Sequence, residues 1–266
     1  MSCRLYRGAD GRVQGAPTAE DLRWALDGAG RAAADGQGLS ADLDVLDPVG
    51  RGGRGRLAPA ERGLRSVQQH VLRHFAQTGT APSAADLEPV AARFGRSAAE
   101  VLAELAAEDF LTLDETGGVR AAYPFSAAPT AHRVAISGGA QVWSMCAIDA
   151  LGIPAMLDAD AVITSSDPVT GETVTVTSTG GRMVWEPAGA VVFVGRRCCA
   201  GPAATVCCDV LNVFTSGDCA RRWAQDHADI IGRVLDQSAA EQLGVQTLGP
   251  LLGRAFGADV TTAGPR

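Results

Sequence analysis

The stretch Val142–Pro154, VWSMCAIDALGIP, places one cysteine and one aspartate three residues apart in an otherwise apolar run. The apolar residues predict a helix over Ala140–Leu151, ended by the glycine and proline that follow. On such a helix Cys146 and Asp149 project from one face. A buried thiol and a surface carboxylate on a core helix would explain this spacing alone. A carboxylate within an apolar setting nevertheless needs a reason, because an unpaired buried polar group costs stability.

A second stretch, Ala204–Phe214 (ATVCCDVLNVF), places two cysteines side by side. Its composition predicts a strand over Thr205–Thr215. Successive side chains of a strand point to opposite faces, so only Cys207 or Cys208 can face a given site. If this strand runs past the helix, one of its thiols converges with Cys146 and the aspartate.

Two thiols and a carboxylate are compatible with more than one chemistry. They match a soft metal ion of low coordination number. They suit a catalytic cysteine pair with a proton relay equally well, because a carboxylate can accept a thiol proton and later return it. A vicinal disulfide is a further interpretation of the Cys207–Cys208 pair and of the Cys198–Cys199 pair.

The seven cysteines of the chain are expected to be reduced thiols. None of them has the spacing of a structural zinc site. Cys198 and Cys199 follow Arg196 and Arg197, whose charges would lower the pKa of both thiols and make them reactive. The role of this pair stays open.

The composition argues against several classes of protein. With 266 residues, 46% hydrophobic and 20% charged, the chain has the profile of a globular protein of one or two domains. A net charge of −7 gives the surface as a whole no attraction for nucleic acid or anionic membranes. There is no apolar run of membrane-spanning length and no secretory signal near residue 1, so a cytoplasmic protein is expected.

Three regions differ in composition. Residues 1–62 are predicted to be a poorly defined N-terminal extension, with a helix over Ala19–Ala34 and a linker (DPVGRGGRGRLAP) too rich in Gly, Pro and Arg to build a core. Residues 63–130 are predicted to form a winged-helix-like domain. Residues 131–266 are predicted to form a mixed α/β domain with a largely antiparallel sheet. The expected fold class is therefore α+β.

The winged-helix prediction depends on three helices followed by a hairpin. The first helix runs from Leu64 to a stop at Gly79, Ser83 caps the second, and Ser97 and Glu100 form a capping box at the third. The third helix carries only acidic charges, which repel phosphates. This region is therefore predicted to be a packing module, and no nucleic-acid partner is expected.

Period-2 patterns and turn signals place the strands, and the C-terminal part is predicted to be helical. Strands are predicted over Phe110–Leu113, Val119–Tyr123, Ala161–Ser165, Thr173–Ser178, Met183–Glu186 and Ala190–Gly195. Helix is predicted from Ser216 or Asp218 through CARRWAQDHADIIGRVLD, and around Ala239–Leu243 and Leu248–Phe256.

Four stretches together resemble the organomercurial (alkylmercury) lyase family: VWSMCAIDALGIPAML, SSDPVTGETVTVT, VWEPAGAVV and TVCCDVLNVFTSGDCARRWAQDH. The resemblance runs from about Leu64 to Leu252, and its most specific parts are the W-x2-C-x2-D segment and the paired cysteines. It implies a winged-helix-like domain followed by an alkylmercury lyase-like catalytic domain.

The resemblance also implies roles for individual residues. Cys146 matches the first catalytic cysteine of the family, Asp149 its catalytic aspartate and Cys207 its second catalytic cysteine. Cys208 matches a neighbour that is not usually assigned chemistry. The implied reaction is protonolysis of a carbon–mercury bond, with the proton passing through the aspartate. The Hg(II) product would be held transiently by Cys146, Cys207 and Asp149.

The same resemblance implies partners and no organic cofactor. The substrate would be a small organomercurial, and excess cellular thiol would release the product. A mercuric reductase would be the acceptor of Hg(II). Trp143, Met145 and Met156 are candidates for an apolar pocket that excludes water.

Several positions depart from the family pattern. The segment before Leu64 has no counterpart, Asp209 replaces a histidine, and Asp167 stands where a further cysteine is expected. The extra Cys198–Cys199 pair is either a mercury relay or incidental. A related enzyme that cleaves another carbon–heteroatom bond, in an organoarsenic or sulfur metabolite, is an alternative. A thiol-based metal-responsive regulator is another.

Overall fold

Helices and antiparallel strands make up the part of the chain that the structure describes, residues 55–197 and 202–252 of a computed structural model. Its helices are α1 Leu64–Thr78, α2 Ala84–Ala91, α3 Ala98–Ala107, α4 Ala147–Leu157, α5 Ala203–Val206, α6 Gly217–Gln225 and α7 Gln237–Leu248. Its strands are β1 Leu111–Leu113, β2 Val119–Ala122, β3 Phe125–Ser126, β4 His132–Ile136, β5 Gln141–Ser144, β6 Ala161–Ser166, β7 Thr173–Thr179, β8 Arg182–Glu186, β9 Val191–Arg197, β10 Asn212–Phe214 and β11 Ile230–Leu235.

The strands form two sheets in which every neighbouring pair is antiparallel. The larger sheet has the order β1-β2-β3-β5-β4-β6-β7-β8, and the smaller one has the order β10-β9-β11. Side chains of β6 alternate between buried and exposed, as a sheet with one covered face requires. Helix α4 lies against β4 and β6 on that face. The expected α+β class with a largely antiparallel sheet is confirmed.

The predicted order of three helices and a hairpin is present in residues 64–122. The predicted N-cap Ser83 and the predicted capping box of Ser97 and Glu100 are both present. The Ser97 N–H donates to Glu100 Oε2 at 2.8 Å, and the structure shows a second capping box at α2, where the Ser83 N–H donates to Asp86 Oδ2 at 2.8 Å. The hairpin β1–β2 pairs onward through β3 to β5, and β5 leads directly to Cys146. The hairpin is thus part of the sheet that supports the candidate site, and the division into separate domains stays a prediction.

The predicted helix over Ala140–Leu151 is wrong at its beginning and at its end. Residues Gln141–Ser144 form strand β5, and α4 begins only at Ala147, after Cys146 in extended backbone (φ −156°, ψ 176°). The pairing of β5 with both β3 and β4 overrides the local helical pattern. The two predicted stop residues, Gly152 and Pro154, lie inside α4. Gly152 permits close packing, since a Cβ at this position would fall 2.5 Å from the Gly244 oxygen.

The predicted strand over Thr205–Thr215 is also wrong for most of its length. Helix α5 covers Ala203–Val206, a turn follows, and only Asn212–Phe214 form a strand. The Ala203 carbonyl accepts hydrogen bonds from the N–H groups of both cysteines that follow, at 3.1 and 2.9 Å. These local bonds, which no period-2 pattern reveals, wind the chain into a turn.

The predicted C-terminal helix divides into a helix and a strand. Helix α6 ends at Gln225, and β11 pairs along the whole of β9. Close backbone contact permits this pairing, since a Cβ on Gly232 would fall 2.3 Å from the Val194 oxygen. Helix α7 includes the predicted Ala239–Leu243 segment and ends at Leu248. The helix predicted over Leu248–Phe256 is wrong in its described part, because residues 249–252 form a turn at Gly249 and Pro250, and residues 253–256 lie outside the described residues.

The last residues of the predicted linker are buried. Arg56 is 6% exposed, and Ala58 belongs to the hydrophobic core. The Gln68 side chain in α1 holds both of them, donating to the Arg56 carbonyl at 2.7 Å and accepting from Ala58 N–H at 2.8 Å. The helix predicted over Ala19–Ala34 lies outside the described residues.

Candidate active site

Cys146 is the N-cap residue of α4, at the junction with β5. Its Sγ accepts a hydrogen bond from the Asp149 N–H at 3.3 Å, so the predicted pair is held together by the helix start rather than along a helix face. The adjacent Ala147 N–H donates to the Leu211 carbonyl at 3.0 Å. This bond ties the start of α4 to residues 203–211, which we call the thiol turn because they carry Cys207 and Cys208.

The thiol turn brings Cys208, and not Cys207, to Cys146 and Asp149. The Sγ atoms of Cys146 and Cys208 and a carboxylate oxygen of Asp149 all lie within 4.8 Å of one another. We call these three residues the thiol–carboxylate cluster. Cys207 is fully buried beside it, but its Sγ donates to the Ala203 carbonyl at 3.4 Å. The inference of one thiol facing the site holds, whereas the choice of Cys207 does not agree with this geometry.

Asp149 is the acid of the cluster, and its surroundings favour the protonated form. Burial raises the pKa of the carboxyl from 3.8 to about 6, against the opposing effects of the Arg56 charge and the contact with Cys146. Its Oδ2 is buried and has no hydrogen-bond partner among the described residues. Because no protein group among the described residues bonds this oxygen, it is available to exchange a proton with a bound molecule.

The thiols of the cluster are protonated at neutral pH. Burial raises the pKa of Cys146 to about 11, although the Cys208 thiol opposes this by donating toward its sulfur. That same interaction raises the pKa of Cys208 well above its usual value. Since the thiolate is the nucleophile and the soft-metal ligand, these thiols need a base. Asp149 is the carboxylate placed to serve as one.

A pocket of about 470 Å³ reaches the cluster at Cys208. This volume falls within the range of small-molecule sites. Met145 lines the pocket as predicted, together with Arg120, His132 and Asp209. Burial lowers the pKa of His132 to about 4, so this imidazole is neutral at physiological pH.

Two of the residues predicted for the pocket lie elsewhere. Trp143 is on β5, with the Arg133 guanidinium 5.3 Å from its ring centre, and is not part of the pocket lining. Met156 belongs to α4 and is buried in the core. The sequence signal for these side chains was apolar character alone, which core residues share with pocket residues.

The other predicted accessory positions have mixed outcomes. Asp167 accepts hydrogen bonds from the Thr215 N–H and hydroxyl, both at 2.8 Å, and so connects two loops where a cysteine was expected. Asp209 pairs with Arg197 at 3.0 Å. Cys198 and Cys199 lie outside the described residues.

The sequence patterns missed a charged group next to the cluster. Arg56, Asp109 and Tyr123 are buried and joined by short contacts, with Arg56 Nη1 at 3.3 Å from Asp109 Oδ2. The separation of 53 residues between Arg56 and Asp109 leaves no local signal that could have revealed their contact.

Comparisons with known proteins identify the family of this chain. The family model described as alkylmercury lyase (MerB) matches residues 125–249. An alkylmercury lyase from Staphylococcus epidermidis is 31% identical over 159 residues, which cover 59% of this chain and 72% of the relative. One from Streptomyces lividans is 30% identical over the same extent, again 59% and 72%. The chain belongs to the alkylmercury lyase family.

A solved structure supports the fold of this alkylmercury lyase family member. A crystal structure described as the mercury-bound form of MerB2 superposes with a TM-score of 0.61 at 22% identity, covering 80% of this chain and 98% of the other. The residues of the thiol–carboxylate cluster lie inside the segment matched by the family model, whereas Arg56, Asp109 and Tyr123 precede it. Among the described residues no helix has the length and apolar character to cross a membrane.

Proposed function

We propose that this alkylmercury lyase family member breaks the carbon–mercury bond of small organomercurials by protonolysis. The observation that carries the proposal is the thiol–carboxylate cluster, in which two thiols and a carboxylate with an unpaired oxygen lie within 4.8 Å of one another. Two soft sulfur ligands suit mercury, and the carboxyl suits the proton that the carbon must receive.

The first step exchanges a ligand on mercury. A mercurial R–Hg–X enters the pocket, and a thiol of the cluster replaces X to give R–Hg–S–Cys. The thiol proton passes to Asp149 and leaves with X as HX. The carboxyl pKa of about 6 lies close enough to neutral pH for Asp149 to accept a proton and release it again.

The second step breaks the carbon–mercury bond. The second thiol of the pair Cys146 and Cys208 bonds to mercury as its proton moves to Asp149, and Asp149 delivers that proton to carbon. The products are R–H and Hg(II) bound by two thiolates, so atoms and charges balance. A second thiolate increases electron density on the carbon and so favours protonation. Burial of the cluster keeps water from competing.

Release of Hg(II) needs a competing thiol, because two thiolates bind a soft ion tightly. Cys146, Cys208 and Asp149 would hold the ion until that exchange. We place the reaction in the cytoplasm, where glutathione keeps thiols reduced. A mercuric reductase is the acceptor that this product chemistry suggests.

The alternative functions account for fewer of the observations. A lyase for another carbon–heteroatom bond would keep the cluster. The matching family model and the relatives, however, are described as alkylmercury lyases. A metal-responsive regulator would need a basic surface for DNA. In α3, Glu104 instead forms an ion pair with Arg96 at 2.7 Å, and Glu100 caps the helix.

Benzene release from phenylmercury in excess thiol tests the proposal. The wild-type protein should form benzene, and Cys146→Ser and Asp149→Ala should not, with near-ultraviolet circular dichroism reporting that they fold. Cys219→Ser is the matched control, because Cys219 is a half-buried free cysteine outside the cluster. Absence of benzene from the wild type would contradict the proposed function.

A further inference from the structure

A buried ion pair lies next to the thiol turn and outside the segment matched by the family model. The side chains of Arg56 and Asp109 are each 6% exposed, and Arg56 Nη1 donates to the Asp109 carbonyl at 3.0 Å as well as lying near its carboxylate. The Arg56 guanidinium also stacks 4.2 Å from the centre of the Tyr123 ring. We call Arg56, Asp109 and Tyr123 the anchor cluster.

The anchor cluster holds the beginning of the thiol turn. The Asp109 carboxylate accepts the Ala203 N–H at 3.2 and 3.3 Å through its two oxygens. The Tyr123 hydroxyl donates to Asp109 Oδ1 at 3.0 Å and accepts the Ala204 N–H at 3.0 Å. The first two backbone N–H groups of α5, which have no partner within the helix, are thereby satisfied.

The anchored residue, Ala203, also bonds the two residues that carry the thiols. The Ala203 carbonyl accepts the N–H of Cys207 at 3.1 Å, the N–H of Cys208 at 2.9 Å and the Sγ of Cys207 at 3.4 Å. The N–H of Ala203 therefore contacts Asp109, while the carbonyl of the same residue makes the contacts that orient the thiols. Displacement of Ala203 would move Cys208 relative to Cys146, which is held on a different element, α4.

Stability alone does not account for this arrangement. A buried ion pair contributes little net stability compared with apolar residues of the same size, since both charges lose their hydration. Asp109 also follows the end of α3 in the left-handed backbone conformation, with φ of 57°, which aspartate adopts more readily than most residues other than glycine. A costly and highly directional contact of this kind is suited to fixing a geometry.

We propose that the anchor cluster is a positioning device that sets the location of Cys208 so that Cys208 and Cys146 bind one mercury atom together. This inference builds on the proposed function for its effect on turnover, but its central claim concerns binding of the ion. The N-terminal part of the chain, through Arg56, thus completes a site whose reacting groups come from elsewhere.

Titration with Hg(II) in the presence of a competing dithiol tests the inference. The thiolate-to-mercury absorption band reports binding by two thiols. Tyr123→Phe and Arg56→Met should lower the affinity for Hg(II) by about 10- to 100-fold, as loss of an outer partner does at other metal sites. Arg56→Lys keeps the charge and one donor, so it should recover part of the affinity.

The control separates positioning from a general loss of stability. Arg96→Met removes another arginine that bonds a carboxylate, at 2.7 Å from Glu104, but this pair lies in the helical region away from the thiol turn. It should lower the melting temperature without changing the Hg(II) affinity. If Arg56→Met does not fold, the test depends on Tyr123→Phe, because this variant loses only a hydroxyl group.

Two outcomes distinguish this inference from the proposed function. Folded Tyr123→Phe protein with wild-type affinity for Hg(II) and a wild-type absorption band would overturn the positioning role, whatever its activity. Wild-type protein that binds Hg(II) through two thiols but releases no benzene from phenylmercury would refute the proposed function. In that case a loss of affinity in the anchor variants would still support the positioning role.

Discussion

Asp149 lies in the first turn of a nearly all-buried helix, and one of its oxygens has no partner among the described residues. Burial raises its pKa from 3.8 to about 6, so the folded protein binds this proton more tightly than the unfolded chain does. Wild-type stability should therefore decrease as pH rises from about 4 through 6. The proton relay thus has a cost in stability at the pH where it operates.

Asp149→Asn should make the metal-free protein more stable at neutral pH and inactive. Removal of the ionised carboxylate should add about 1–3 kcal/mol to the free energy of unfolding above pH 6, because each pKa unit corresponds to about 1.4 kcal/mol. The gain should vanish below about pH 4, where wild-type Asp149 is protonated in both states. Urea unfolding at the two pH values measures it, and a gain independent of pH would assign the effect to packing.

Cys208→Ser should abolish activity, whereas Cys207→Ser should leave it near the wild-type value. Loss of a member of the thiol–carboxylate cluster should lower kcat/KM for phenylmercury at least about a thousandfold, since its members act as a unit. A serine at position 207 can still donate to the Ala203 carbonyl, as the Cys207 thiol does. The reverse result would restore Cys207 as the second catalytic cysteine.

The choice between the two adjacent cysteines shows how far residue-level prediction extends. Cys146 and Asp149 were predicted to act together because a three-residue spacing brings side chains together whenever a helix starts or passes there. No spacing distinguishes Cys207 from Cys208. That choice depends on how the thiol turn leaves α5, and the turn is set by hydrogen bonds to Ala203 from residues distant in the chain.

At the scale of elements, α4 is held in place by unusually close packing against α7. A Cβ on Gly152 would fall 2.5 Å from the Gly244 oxygen, and one on Gly244 would fall 2.9 Å from the Gly152 nitrogen. The two glycines therefore let the helix backbones touch. Since Cys146 and Asp149 lie at the start of α4, this contact also contributes to the placement of the candidate site.

Gly152→Ala should destabilise the protein although alanine favours helix. The overpacked contact should cost about 1–3 kcal/mol, and this should exceed the gain in helix propensity of up to about 1 kcal/mol. Gly217→Ala in α6 is the matched control, because its Cβ would meet only the flexible end of Arg221 at 3.1 Å. Equal unfolding free energies for the two variants in chemical denaturation would rule out the proposed contact.

Strands with regular alternation, such as β6 and β7, were predicted within one residue, because one buried face leaves a period of two in the sequence. Two strands were wrongly predicted as helix, Gln141–Ser144 and Ile230–Leu235, because the local pattern there favoured helix. Both segments pair with strands that come from other parts of the chain. Such pairing is decided by tertiary contacts, which override weak local preferences.

At the scale of the whole molecule, charge separates this protein from the DNA-binding proteins that share its helix order. The net charge is −7. The exposed charges of α3 are carboxylates, and Glu104 is already paired with Arg62 and Arg96. The helix that would enter the major groove in a winged-helix regulator therefore offers no basic side chain for phosphate.

The full-length protein should not bind duplex DNA in a gel-shift assay. No shifted band is expected at low salt with about 10 µM protein, a concentration at which nonspecific DNA-binding proteins already bind. The measurement should be repeated with Hg(II) present, since a regulator would respond to the metal. A band that appears with Hg(II) and disappears with added salt would revive the regulator hypothesis.

Sequence patterns alone predicted the α+β class, the helix caps, the alternating strands and the association of Cys146 with Asp149. Each of these depends on residues close together in the chain, where propensity, capping and periodicity operate. That Cys208 joins them, and that Arg56 contacts the residue that holds the thiol turn, follows from the three-dimensional fold. These contacts join residues 53 and 94 positions apart, from Arg56 to Asp109 and from Asp109 to Ala203. Packing of the whole chain brings such residues together, and no local pattern records it.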